Sequence, residues 1–278
     1  MKKVLGIIFS PRKRGNSEIM VKEISQQISE PHKLLLLRLH DFNILPCKGC
    51  YRCLAKDKKC ILDDDLHILM EAIFEADALI VAAPTYCLGA NASLKGLLDR
   101  FFPFYSQIDA LWGTPAVGVG IAGIKGKEGH TLLDIQTFLK FLLADIKECQ
   151  IVYGALPGEI FLNNENYKIA GALAAALFGP HSEKEAPVCP LCGGDTFRFL
   201  GNNKIRCMLC SNLGTISMIT DTPFFEISES DHDLFLTKKA VIDHRDWLLG
   251  MMKHFGESKK QLKEITQSYS AGGEWIKP

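Results

Sequence analysis

The chain has 278 residues, enough for one α/β domain of about 150–200 residues and a smaller unit beside it. Its 47% hydrophobic and 23% charged residues are ordinary for a globular chain, and no apolar run approaches the roughly 20 residues of a membrane span. The 32 basic and 32 acidic residues cancel, which argues against a general nucleic-acid binder.

In chain order, residues 2–10 form an apolar run bounded by Pro11 and Gly15, the pattern of a buried strand. This run stops at Phe9, too short for the core of a secretion signal, so a cytoplasmic location is expected. Helical periodicity follows over 16–29 through Ile19, Met20, Val21, Ile24 and Ile28, with Asn16 or Ser17 as N-cap. Residues 33–39 read as a second strand, followed by a cysteine-rich loop. Asp63, Asp64 and Asp65 then cap a helix reaching residue 76, with negative charge at the positive end of its dipole. A strand over 78–84, a helix over 91–102, a strand over 115–122, an apolar helix over 130–147, a strand over 151–156 and an Ala-rich helix over 166–178 complete the pattern. Five near-continuously apolar strands alternating with helices specify a doubly wound parallel sheet covered on both faces. Five strands suit the flavodoxin-like order 2-1-3-4-5 better than the six-stranded Rossmann order.

The composition changes after Gly179. Residues 181–187 read as a linker. Residues 188–220 hold cysteines around two short strands joined by a Gly-Asn-Asn turn at 201–203. Residues 232–255 return to a helical pattern through Leu234, Leu236, Val241, Ile242, Trp247, Leu248, Leu249 and Met252, and the tail reads as an extended arm. The apolar stripe of this helix suits its own domain or a second subunit as cover.

Open parallel sheets bind ligands at the carboxyl ends of their strands. The loop SPRKRGNS at 10–17 leaves the first strand and starts a helix whose free N–H groups suit a phosphate. Ser10, Asn16 and Ser17 offer donors, Gly15 permits close backbone approach, and Arg12 supplies charge; the plainer alternative is a polar loop with an ordinary cap. The segment GVGIAG at 118–123 matches G-x-G-x-x-G, but IKGKEG stands where a dinucleotide fingerprint needs a helix, so these glycines read as the exit from a strand.

Two four-cysteine sets stand out. With ten cysteines expected to be reduced in the cytoplasm, clustered ones read as metal ligands. The first, PCKGCYRCLAKDKKC at 46–60, has C-x2-C-x2-C-x6-C spacing at Cys47, Cys50, Cys53 and Cys60. One compact loop suits thiolates wrapped around a [4Fe–4S] cube, with zinc as the rival, and Lys48, Arg52, Lys56, Lys58 and Lys59 offset its negative charge. The second, Cys189, Cys192, Cys207 and Cys210, has C-x2-C-x14-C-x2-C spacing. Two separated knuckles suit one tetrahedral zinc, with rubredoxin-type iron as the alternative. The local charge around this set, Arg198, Lys204 and Arg206 against Asp195, is too small to support a nucleic-acid partner. The module is expected to bury little core and to dock on the first domain or on a partner subunit.

SPRKRGNSE after the first strand, PCKGCYRC after the second and APTYCLGANASLKGLLDR after the third resemble, in that order, the NADPH-dependent FMN reductase superfamily. Within it the chain resembles the iron–sulfur flavoproteins of anaerobes, over residues 1–180. The resemblance implies an FMN phosphate on the first loop. It implies a second loop over 84–90, with Pro84, Thr85, Tyr86, Cys87, Leu88 and Gly89, along the isoalloxazine ring, and a third around 122–129, with Ala122 and Gly123, on its other side. Tyr86 reads as a ring contact, with a half-buried core tyrosine as the alternative, and Cys87 as a small loop residue. The resemblance further implies a [4Fe–4S] cluster on the first cysteine set, facing the flavin of a neighbouring subunit in a homodimer or homotetramer.

The expected organisation is a flavodoxin-like FMN-binding domain over 1–180 with its cysteine loop at 46–60, a zinc-ribbon-like module over 186–220, and a helix and arm over 231–278. The expected function is an FMN-dependent oxidoreductase passing electrons from ferredoxin or NAD(P)H to an acceptor. Hydride moves to or from the flavin itself, so no catalytic side chain is expected. The alternatives are an NAD(P)H:FMN or quinone reductase without a functional cluster, and a zinc-ribbon redox or metal-sensing binding protein.

Overall fold

The computed structural model describes residues 1–54, 59–181, 187–219, 222–270 and 272–276. Six strands build the first sheet: β1 (Lys2–Ile8), β2 (His32–Arg38), β3 (Ala78–Tyr86), β4 (Gly89–Ala90), β5 (Pro115–Ala122) and β6 (Asp145–Tyr153). All but β4 run parallel, in the order β2-β1-β3-β5-β6, while β4 folds back antiparallel on the end of β3. Counting the parallel strands alone, this is the expected 2-1-3-4-5 order.

The helices are α1 (Asn16–Gln27), α2 (Leu66–Phe74), α3 (Ala92–Leu98), α4 (Ile108–Leu111), α5 (Thr131–Phe141) and α6 (Asn164–Phe178). Alternate residues of each strand point to opposite faces. Val4, Ile8, Ile80 and Val119 therefore meet Met20 and Ile24 of α1 and Leu173 of α6. On the other face, Leu5, Ile7, Phe9 and Val81 meet Leu69 of α2, Leu94 of α3, and Ile135 and Phe138 of α5. Both faces are buried, which is why the strands are apolar at nearly every position.

Several boundaries differ from the sequence reading. The helix expected over 130–147 ends at Phe141, and residues 145–150 open the last strand of the sheet instead. Leu143 takes φ +57°, and the Ala144 N–H reaches back to the Leu139 carbonyl at 3.1 Å, the six-to-one bond of a Schellman closure. A leucine in place of the usual glycine hid this stop. Likewise α3 ends at Leu98 and not at residue 102, and a 3-10 segment at Phe102–Gln107 follows. The N-cap of α1 is Gly15; Asn16 is already helical and no side chain caps the helix. Asp65 caps α2 without a side-chain bond to its amides.

The second sheet is antiparallel, with β7 (Phe197–Gly201), β8 (Lys204–Cys207), β9 (Leu213–Ile219) and β10 (Thr222–Ile227) in the order β10-β9-β8-β7. The expected hairpin is β7–β8. Its Asn202 and Asn203 both have positive φ, as a two-residue primed turn requires. Strands β9 and β10 were not anticipated, although LGTISMI and TPFFEI alternate at period two. The rings of Phe197 and Phe225 meet at 4.1 Å, tilted by 34°.

Helix α7 (Lys238–Ser268) starts later and runs further than the pattern over 232–255 suggested. Thr237 caps it by accepting from Ala240 N at 3.1 Å. Its first turns pack on the first domain: Phe235, just before it, meets Phe141 at 5.6 Å, His244 meets Tyr105 at 6.3 Å, and Val241 and Leu248 are buried. These contacts seat the start of α7 on its own chain, against α5 and the Phe102–Gln107 segment. Beyond Leu248 the helix is almost wholly exposed, and Met251, Phe255, Leu262 and Ile265 continue a 3,4 spacing from Val241 along one side. Among the described residues, no helix is long and apolar enough to cross a membrane. The expected linker positions 182–186, the module ends at Ala186 and Thr220, Lys56 and Lys58 of the cysteine loop, and the last two residues of the arm lie outside the described residues.

Candidate flavin cradle and cysteine sites

At the carboxyl ends of β1, β3, β5 and β6 lies a cavity of about 190 Å³. It is lined by Ser10, Arg12, Gly15, Asn16, Ser17, Pro84, Thr85, Tyr86 and Gly123 from the sequence-predicted set. Of that set, Cys87, Leu88, Gly89 and Ala122 do not line it. Ala122 is buried in the sheet. Cys87 and Leu88, with φ +51° and +67°, form the tight turn between β3 and β4. Gly89 faces His130, and a Cβ there would come within 2.6 Å of its Nε2. The turn is locked onto the loop before α5 by His130 N–H donating to the Leu88 carbonyl at 2.8 Å.

Gly154, Ala155 and Pro157 complete the cavity from the loop after β6. Sequence reasoning missed them because the last strand was set too late, over 151–156. Asn16 carries the connection: its Nδ2 donates to the Gly154 and Leu156 carbonyls at 2.9 and 3.0 Å, and its Oδ1 accepts from Gly158 N at 2.8 Å. Its side chain is therefore spent on the loop, and only its backbone remains for a ligand. The amides of Asn16 and Ser17 have no backbone acceptor among the described residues and lie in the first turn of α1.

Beneath this turn Glu18 is buried. It accepts from Arg14 N at 2.8 Å, Lys22 Nζ at 2.6 Å and Arg38 Nη2 at 2.5 Å. Burial alone would push its carboxyl up, but the bonds from Lys22, Arg14 and Arg38 outweigh it and hold the group at about 2. Glu18 thereby fixes Arg14, whose φ is +55°, and sets the shape of the loop.

The first cysteine set forms a second site. Cys47, Cys50, Cys53 and Cys60 all line one cavity of about 70 Å³, together with Lys48, Tyr51, Leu62, Arg100, Phe102 and Pro103. Burial and then the neighbouring thiols of Cys60, Cys50 and Cys47 push the Cys53 thiol up to about 11. The base of the loop is pinned: Asn43 N donates to Asp65 at 2.7 Å, Asp65 N to the Asn43 carbonyl at 3.0 Å, and Leu45 N to Asp64 at 2.9 Å. Asp64 and Arg100 form a bidentate ion pair with both side chains 1% exposed. Burial would raise the Asp64 carboxyl, but Arg100 and then the amides of Leu45 and Leu66 hold it below its usual range. Arg100 had no role in the sequence reading, which placed it only within the helix expected over 91–102.

The second set is tighter. The Sγ atoms of Cys189, Cys192, Cys207 and Cys210 all lie within 4.8 Å of one another, with Cys189–Cys210 at 3.8 Å and Cys192–Cys207 at 3.5 Å. A tetrahedron of metal–sulfur bonds of about 2.3 Å has edges of about 3.8 Å, so this set fits a single ion. Among the described residues it is the one grouping of ligating atoms this close. Contacts with Cys192 and then Cys207 favour the thiolate of Cys210 and push it down, the direction a metal ligand needs. Asn212, 1% exposed, braces the second knuckle: its carbonyl accepts from Cys207 N, and its side chain bonds Asp233 and Ser230 N.

A family model described as NADPH-dependent FMN reductase matches residues 2–146, more than half of the chain. The chain belongs to the NADPH-dependent FMN reductase family. Its relatives include iron–sulfur flavoproteins. One from Methanocaldococcus jannaschii is 34% identical over 140 residues, covering 49% of this chain and 70% of that protein. One from Archaeoglobus fulgidus is 30% identical over 179 residues, covering 63% and 78%. One from Methanosarcina thermophila is 35% identical over 139 residues, covering 49% and 72%. A solved structure titled flavone reductase is 18% identical with a TM-score of 0.74 over 99% of both chains. That likeness is one of fold, and it extends through the second sheet and α7.

Members of an FMN reductase family need a cradle for the FMN phosphate and a slot for its ring, and the first cavity fits both. The α1 amides and Arg12 offer donors and charge for the phosphate. Tyr86, 46% exposed beside Pro84 and Thr85, presents an aromatic face. The Thr85 hydroxyl is already engaged with Thr131 at 2.8 Å, so Thr85 offers its backbone.

Proposed function

We propose that this member of the family is an FMN- and [4Fe–4S]-dependent redox protein that passes electrons between a low-potential donor, ferredoxin or NAD(P)H, and an acceptor. The observation that carries this reading is the convergence of Cys47, Cys50, Cys53 and Cys60 on one cavity, in a chain whose relatives are iron–sulfur flavoproteins. FMN supplies the hydride and single-electron chemistry when bound. The residues of this chain bind and orient it: the α1 amides, Ser10 and Arg12 hold the phosphate, and the Pro84, Thr85 and Tyr86 backbone with the Tyr86 ring holds the isoalloxazine. The loop thiolates hold the cluster. Cys189, Cys192, Cys207 and Cys210 hold a structural zinc, with iron as the alternative at that site. The working unit is at least a homodimer, a reading supported by the 3,4-spaced apolar side of α7. The compartment is cytoplasmic, where the thiols stay reduced.

The test is anaerobic purification followed by FMN, iron, acid-labile sulfide and zinc analysis. Roughly one FMN, four iron, four sulfide and one zinc per chain is the expected result. Zinc at both sites with no sulfide overturns the cluster, and absence of flavin overturns the redox reading altogether.

A further inference from the structure

Arg100 is 2% exposed and its guanidinium joins three groups. Nη1 donates to the Leu45 carbonyl and to Asp64 Oδ2, both at 2.5 Å. Nη2 donates to Asp64 Oδ1 at 3.2 Å and to Cys60 Sγ at 3.3 Å. Asp64 in turn accepts from Leu45 N at 2.9 Å and Leu66 N at 3.3 Å. Leu45 stands just before the cysteine loop and Asp64 just after it. One buried ion pair therefore ties both ends of the loop and touches its last sulfur.

Burying two charges is costly, and an apolar pair of similar volume would close the same space at less expense. What an apolar pair cannot do is donate to a thiolate. The planar fork of arginine makes both contacts at once: one nitrogen pair meets the carboxylate, and the outer N–H of Nη2 is left for sulfur.

We propose that Arg100, oriented by Asp64, is a positioning residue that sets the electron affinity of the group held by Cys47, Cys50, Cys53 and Cys60 through its hydrogen bond to the Cys60 sulfur. The inference rests on the reading of that set as cluster ligands. Reduction by one electron adds negative charge to the cluster and its thiolates. A cationic donor on one sulfur stabilises that added charge, so it favours the reduced form. The hydrogen bonds of Asp64 run to Arg100 and to two amides, and none reaches a sulfur among the described residues. Its charge opposes that of Arg100 without contacting the cluster ligands.

The sign of the effect is the test. Arg100→Gln removes the cation and is expected to disfavour reduction about tenfold, a midpoint about 59 mV more negative for one electron. Asp64→Asn keeps the cation and removes its counter-charge, so the midpoint moves in the positive direction. Arg100→Lys keeps the charge but cannot serve carboxylate and sulfur together, and falls between Arg100→Gln and the native protein. The measurement is a redox titration of the anaerobically purified protein followed by the cluster's paramagnetic signal, with iron, sulfide and FMN determined on every sample. Native protein without sulfide overturns the cluster reading and this proposal with it. Native protein with a cluster, and variants that keep their iron and sulfide while their midpoints stay unchanged or all move in one direction, overturn the role of Arg100 alone. If Arg100→Gln does not retain the cluster, Asp64→Asn decides: a positive shift supports the proposal, and no shift or a negative one ends it.

Discussion

The Asn16 side chain accepts from Gly158 N at 2.8 Å while donating to the Gly154 carbonyl at 2.9 Å, so the first turn of α1 and the loop after β6 are one unit. The two segments are about 140 residues apart in sequence, and each lines the cavity proposed to hold the flavin. Asn16→Ala removes three hydrogen bonds worth about 1 kcal/mol each. The expected outcome is a folded protein that binds FMN at least tenfold more weakly, read by quenching of flavin fluorescence. Unchanged affinity would show that the loop after β6 holds its place without Asn16.

Glu18 makes stability pH-dependent in a defined direction. Its carboxyl sits at about 2 in the folded chain against an ordinary value of 4.5. A depressed folded value means that the contribution is fully present above about pH 4.5 and is lost as the pH falls towards 2. The shift corresponds to on the order of 3 kcal/mol. Glu18→Gln should cost a comparable amount at pH 7, and its unfolding free energy should fall less steeply between pH 4.5 and 2. Urea titrations at several pH values give both numbers, and parallel acid limbs for the two proteins would exclude this role.

Gly129 has φ +54°, and a Cβ there would stand 2.0 Å from the Leu88 carbonyl oxygen. Gly129→Ala should therefore break the His130–Leu88 bond and release the β3–β4 turn. A left-handed non-glycine residue costs about 1–3 kcal/mol before the clash is counted. A melting temperature lowered by several degrees and weakened FMN binding are expected; a variant that melts and binds like the native chain would contradict the contact.

Cys207→Ser should remove the metal of the second set. Structural zinc binding supplies about 10–16 kcal/mol in zinc-finger peptides, and here β7, β9 and β10 are largely exposed, so the knuckles lose their main support. Metal analysis should show one ion fewer per chain, and melting should gain an early transition, while FMN stays bound in its cradle on the first sheet. One unchanged transition with full metal content would rule this out.

The exposed side of α7 predicts association. Phe255→Glu places a charge in the middle of the apolar row from Leu248 to Ile265. Light scattering should find the native chain at twice or four times its sequence mass and the variant at a smaller multiple. A monomeric native chain would refute the dimer.

The parallel sheet, the β1–α1 loop and both cysteine sets were legible in the sequence, because each rests on short-range rules, whereas the strand order came from matching five strands to a known fold class. Strands buried on both faces must be apolar throughout, a helix start needs particular residues, and cysteine spacing limits what a set can wrap. Local pattern did not reveal the end of α5, where a leucine took the left-handed position usually given to glycine. It also hid β9 and β10, whose alternation is mostly between exposed and half-buried positions on a small sheet.

By itself, then, the sequence determined the doubly wound sheet, the β1–α1 loop that lines the first cavity and the two cysteine sets of different spacing. Only the tertiary structure decided which groups surround them. Asn16 turned away from the cradle to hold a distant loop, and Arg100 turned inward to Asp64 and Cys60. A polar side chain's partner depends on what long-range packing brings beside it, and once it is buried it must find that partner or cost several kcal/mol. No local rule names the partner.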